Sequence, residues 1–114
     1  MKETVLDFQD TMKHLMAEHR ETTKKFRDFK DSAMEAKVLD DKSKQLVALG
    51  AAITAGCKYC IGLHVKDAFR AGATKEEIYE AALVAVLMGG SPALTYVTDV
   101  KQAVEVYSTE STLS

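Results

Sequence analysis

Apolar side chains return every three or four residues along most of the chain, and that period predicts helices from end to end. Val5, Phe8, Met12, Leu15, Met16 and His19 share one face of a first segment, about Thr4 to His19. A second segment, about Thr23 to Ala36, puts Phe26, Phe29, Ala33 and Ala36 on a narrower stripe. Asp40 or Asp41 is suited to cap a third helix, which begins polar (KSKQ), turns apolar (LVALGAAITA) and ends at Gly56. A fourth runs from about Lys58 to Arg70 and stops at Gly72. Thr74 with Glu77 three residues on reads as a capping box opening a fifth, which carries EAALVAVLM and is ended by Gly89-Gly90. Ser91 caps a last helix with Pro92 in its first turn, and Ala93, Tyr96, Val97, Val100, Ala103, Val104 and Tyr107 form its apolar face. No alternating apolar–polar run and no Asn-Gly hairpin turn argue for a strand. The pattern predicts an all-α bundle of about six helices.

Two of these segments are apolar all round, which implies burial on every side. A chain of 114 residues hides only a modest share of its surface. A homo-oligomer with large apolar interfaces is therefore expected, formed largely through the first and last helices. One domain spans 1–114, with N-terminal helices over 4–36, a core over about 39–107 and a polar, frayed tail over 108–114.

Composition narrows the classes. The hydrophobic fraction is 46% and the charged fraction 28%, as in a globular protein rather than a disordered one. A net charge of −2 with no basic patch argues against a nucleic-acid partner. The opening MKETVLDFQD lacks an apolar signal core, and no apolar run approaches the roughly 20 residues that cross a bilayer. Two cysteines in one short motif do not make a disulfide scaffold. A cytoplasmic protein with no membrane partner is the expectation.

The candidate chemistry lies in AAITAGCKYCIGLH, Ala51 to His64. Cys57, Cys60 and His64 are spaced by three and four residues, so one helical face carries all three. The Gly56 break puts both cysteines at a helix start, where free N–H groups and the helix dipole favour a thiolate. A CxxC so placed closes into a reversible disulfide with little backbone movement, and a histidine one turn on can relay protons near neutral pH. Two other readings compete. A zinc site needs four ligands and only three are local, with His14 or His19 as the fourth. Alternatively, the cysteines pack as small apolar groups around a core histidine. His14 and His19 otherwise read as surface or interface residues.

The segment LDDKSKQLVALGAAITAGCKYCIGLHVKDAFRAGATKEEIYEAALVAVLMGGSPALTYV, Leu39 to Val97, resembles the core of the alkylhydroperoxidase-D-like proteins of the carboxymuconolactone decarboxylase superfamily. The CxxCxxxH followed by AGAT-x-EEI carries the resemblance. It implies an all-helical oligomer, a trimer or hexamer, with peroxidase or thiol–disulfide activity. It further implies that Cys60 attacks the peroxide, Cys57 resolves, and His64 relays protons. No tightly bound cofactor or metal is implied, only the redox-active pair. Relatives commonly carry a glutamate twelve residues before the first cysteine, where this chain has Gln45, an amide that hydrogen-bonds but accepts no proton at neutral pH. Tyr59 stands where some relatives have histidine.

The implied cycle reduces an organic hydroperoxide at the dithiol and is reset by an external dithiol, lipoyl or thioredoxin-like. Leu49, Ile53, Leu83 and Leu87 are expected to line an apolar approach. Gln45 favours an alternative, a redox sensor or oligomeric binding protein with little turnover. A decarboxylase of the lactone-acid type does not need the CxxC.

Overall fold

The structure, a computed structural model, describes residues 1–113, with side chains through Ser108. It contains α1 (Lys2–Glu18), α2 (Arg20–Met34), α3 (Asp41–Ala55), α4 (Lys58–Arg70) and α5 (Lys75–Leu113), with no strand among the described residues. The fraying expected of 108–114 concerns side chains that lie almost entirely outside the described residues.

Local signals set most boundaries. Asp40 caps α3, its Oδ1 accepting from Ser43 N at 2.7 Å, and this hydrogen bond holds the carboxyl below its ordinary pKa. Gly56 ends α3 in the left-handed conformation at φ 72°. The capping box is complete: Glu77 N donates to Thr74 Oγ1 at 3.1 Å and Thr74 N donates to Glu77 Oε1 at 2.8 Å. The other oxygen of Glu77 accepts from Lys42 Nζ at 2.9 Å, joining the start of α5 to the start of α3.

The expected stop at Gly89-Gly90 divides α5 into two helical arms. Gly90 takes φ 70° and ψ −155°, outside helical space, and the ladder resumes at once with Pro92 in the next turn. The arms run over 75–89 and 91–113.

The core lies among α3, α4 and α5. Leu49 and Ile53 of α3, Ile61 and Val65 of α4, and Ile78 and Val100 of α5 have no exposed surface. Ala93, Ala103, Val104 and Tyr107 are buried as the last apolar face predicts. No buried side-chain nitrogen or oxygen among the described residues lacks a hydrogen-bond partner.

Two expectations fail within the single chain. The α2 stripe is not buried: Phe26 and Phe29 are 61% and 68% exposed, and Thr23 is the one buried residue of that helix. The apolar segments of α3 and α5 are not covered on every side either, with Val47, Leu83, Val84, Leu87 and Met88 all more than half exposed. A three-helix core has only enough neighbours to cover the inner side of each member. By length and composition the helix Lys75–Ser108 would cross a membrane, unlike the short runs read from the sequence, but the Gly90 break divides it. The 75–89 arm falls short of the roughly 20 residues a span requires.

Candidate dithiol site

Cys57 is the N-cap of α4, and its Sγ accepts from Cys60 N at 3.2 Å. A sulfur thus occupies the place where an N-cap oxygen usually satisfies a free amide. Cys57 and Cys60 are joined in a disulfide, with Cα atoms 5.2 Å apart. Both sulfurs belong to half-buried residues. The tight exit from α3 at Gly56 sets this entry, and its backbone is closely covered: a Cβ there would sit 3.2 Å from the Tyr96 ring. Positive φ favours glycine here, and any side chain would press on the Tyr96 ring.

Gln45 and His64, nineteen residues apart, meet across the α3–α4 packing. His64 Nδ1 lies 2.9 Å from Gln45 Oε1, and Gln45 is only 8% exposed. An amide oxygen accepts and never donates, so the imidazole carries its proton on Nδ1 and leaves the Nε2 lone pair free. Burial pushes the His64 pKa below its ordinary value. Asp67 acts in the opposite direction and Lys30 of α2 adds to the lowering. The ring is neutral at pH 7, a base rather than a cation.

Tyr59, between the cysteines, is held by α1. Its ring stacks on Phe8 with centroids 3.9 Å apart. Burial raises the phenol pKa, so Tyr59 is a neutral hydrogen-bonding group at physiological pH. Gly62 lets the start of α1 approach α4, since a Cβ there would collide with Met1 and Val5. Neither Phe8 nor Tyr96 stands out in the sequence as a site residue. Each reads there as one more member of an amphipathic face, and only packing brings it to the motif.

His14 and His19 are exposed on and just beyond α1, and no group of three or more His, Cys, Asp or Glu among the described residues is placed to hold a metal ion. The four residues expected to line an apolar approach do not form one. Leu49 and Ile53 are sealed in the core, while Leu83 and Leu87 face outward at 60% and 80% exposure.

A helical domain with a dithiol at the start of a core helix and a histidine one turn on defines the class. Residues 20–103 match the carboxymuconolactone decarboxylase family, and the chain belongs to it. The alkylhydroperoxidase-D-like pattern is consistent with that membership. A carboxymuconolactone decarboxylase family protein of Legionella pneumophila superposes with a TM-score of 0.90 at 31% identity, covering 94% of this chain and 96% of that one. A family member from Thermotoga maritima, a candidate for an antioxidative response, gives 0.79 at 25% identity over 96% and 97% of the two chains. An uncharacterized cox-locus protein of Paracoccus denitrificans is 45% identical over 58 residues, 51% of this chain and 52% of its own. An uncharacterized protein of Cupriavidus necator is 36% identical over 53 residues, 46% and 47% respectively. The matches span about half the length of these two relatives.

Proposed function

We propose that the chain is a thiol-dependent peroxidase that reduces organic hydroperoxides through Cys57 and Cys60. The observation that carries the reading is the disulfide at the N-cap of α4, on the helix whose His64 is fixed by Gln45. The antioxidative association of the Thermotoga relative supports it.

In the reduced enzyme, the Cys60 thiolate attacks the distal peroxide oxygen. The O–O bond breaks, the alkoxide leaves and takes a proton to become an alcohol, and Cys60 becomes a sulfenic acid. Cys57 attacks that sulfur, expelling water and closing the disulfide seen here. The Cys60 amide at Cys57 Sγ favours negative charge on Cys57. The same amide makes Cys57 the better leaving group when an external dithiol attacks Cys60 to reopen the pair. The neutral His64 takes the Cys60 proton and passes it to the leaving oxygen, and Gln45 sets its tautomer without carrying a proton.

Peroxide consumption under a dithiol reductant tests this. Cys60→Ser should abolish it, and Cys57→Ser should leave a sulfenic acid that a dimedone-type probe traps. Continued turnover in the double serine variant would end the proposal. Gln45 favours a second reading, a redox switch that oxidises once and cycles slowly. Loss of both thiols to one equivalent of hydroperoxide, without sustained turnover, selects that reading. Gln45→Glu, which restores a proton-accepting carboxylate beside His64, should raise the turnover rate if the chain is a peroxidase.

A further inference from the structure

Helix α4 carries an ionisable residue on the dithiol face that the proposed cycle does not use. Cys60, His64 and Asp67 follow one another at steps of four and three residues, so Asp67 lies one turn beyond His64 on the same side of the helix. Its side chain is only 22% exposed. Its ion-pair partner Arg70, with Nη1 3.0 Å from Asp67 Oδ1, is 68% exposed, and a pair reaching so far into water contributes little.

Locally, Asp67 is a poor choice. Aspartate is a weak helix former, and a negative charge in the last turn opposes the helix dipole. Helix α4 ends at Arg70, which places Asp67 in that turn.

The charge of Asp67 reaches His64 and Tyr59 alike. Burial pushes His64 below its ordinary pKa, the Asp67 carboxylate pulls it back up, and Lys30 of α2 acts with burial. Burial raises the Tyr59 phenol, and Asp67 and then Tyr107 of α5 add to the rise. From α3 the imidazole meets Gln45, which is neutral. Asp67 is thus the anion that acts on His64, and Lys30 the cation.

We propose that Asp67 is a positioning residue of the dithiol site, its carboxylate stabilising the imidazolium that forms when His64 takes the Cys60 proton. The assignment rests on the proposed role of His64 as the base. In that step the S–H bond of Cys60 breaks and the proton bonds to Nε2. The positive charge then spreads over a ring that Gln45 orients but cannot neutralise. The proton passes on to the leaving oxygen, and Asp67 itself takes none. Orientation and charge, which one carboxylate at position 45 would supply together, are divided here between Gln45 and Asp67.

Two readouts test this. The first is the His64 titration by NMR in the disulfide form, where no cysteine titrates alongside, with the resonance assigned by its loss in His64→Gln. Asp67→Asn should lower the His64 pKa, and Asp67→Glu, which keeps the charge, should return it toward the native value. The second is the rate at which the reduced protein loses its thiols to one equivalent of cumene hydroperoxide, followed against pH. Asp67→Asn should slow it about 10–100-fold, part of the roughly 10²–10⁴ that a positioned base contributes, and should move its acidic limb to lower pH. Asp67→Ser, also uncharged, repeats both measurements with a smaller side chain, and circular dichroism checks folding. Arg70→Gln breaks the same ion pair but keeps the carboxylate, and should lower neither the rate nor the His64 pKa. A native titration or a native rate in a folded variant without the charge would overturn the assignment and leave the peroxidase reading standing. Equal slowing in Arg70→Gln would do the same. A native dithiol that does not react with the hydroperoxide would overturn both.

Discussion

The α1–α2 hairpin and the α3–α4–α5 core are both amphipathic in sequence, yet they are stabilised in different ways. Ile53, Ile61 and Ile78 are sealed completely, each contributing roughly 1.5–3 kcal/mol relative to an exposed side chain. In the hairpin, Val5 and Thr23 are the buried residues, and Phe26 and Phe29 point outward. The period of a pattern reports which residues share a face, not whether anything lies against that face. Only in the core do three helices face one another. The hairpin touches the core where Val5 meets Gly62 and Phe8 meets Tyr59, both beside the dithiol, and where Lys44 Nζ of α3 donates to Ala33 O of α2 at 2.8 Å.

Four measurements test that contrast, from the largest expected effect to the smallest. Ile61→Ala empties a sealed position behind the dithiol and should cost about 2–5 kcal/mol in denaturant unfolding. A loss near zero would mean that the core is not where the stability resides. Gln45→Leu removes the acceptor of the half-buried His64 Nδ1 and should cost about 1–3 kcal/mol. It should also lower peroxide turnover, and unchanged turnover would show that the tautomer does not matter. Phe8→Ala should cost about 0.5–1.5 kcal/mol of stacking on Tyr59. Phe29→Ala, on the uncovered side of the hairpin, should stay within about 0.5 kcal/mol. If the last two exchanged magnitudes, the assignment of which hairpin residues matter would be reversed.

Acid should act through the same centre. The His64 pKa is below its ordinary 6.5 in the folded chain, so the unfolded chain binds the proton more readily. The neutral ring's contribution is fully present above pH 6.5 and is lost as pH falls from there through the lowered folded value. Unfolding free energy measured between pH 7.5 and pH 5 should decline, and His64→Gln should remove that part of the decline. An identical pH profile in the variant would locate the sensitivity elsewhere.

The capping signals were legible because they are local. Asp40, Gly56 and the Thr74–Glu77 box act within four residues of themselves, and each sits where the pattern puts it. Gly90 was legible as a helix stop for the same reason, because a glycine at positive φ interrupts the ladder locally. The shared face of Cys57, Cys60 and His64 follows from spacing along α4. The meeting of Gln45 with His64 does not follow from periodicity, because it needs α3 and α4 packed at one particular register.

By itself, then, the sequence determined the helical period, the ends of α3 and α4, the placing of two thiols at a helix start and the membership of a family. Those properties rest on neighbours a few residues away, whose interactions survive any arrangement of the helices. Tertiary structure alone decided that Gln45 holds His64, that Phe8 and Tyr96 close on the motif, and that α2 and one side of α3 and α5 stay uncovered. Burial is a property of what lies opposite a residue, and a linear pattern carries no record of its opposite.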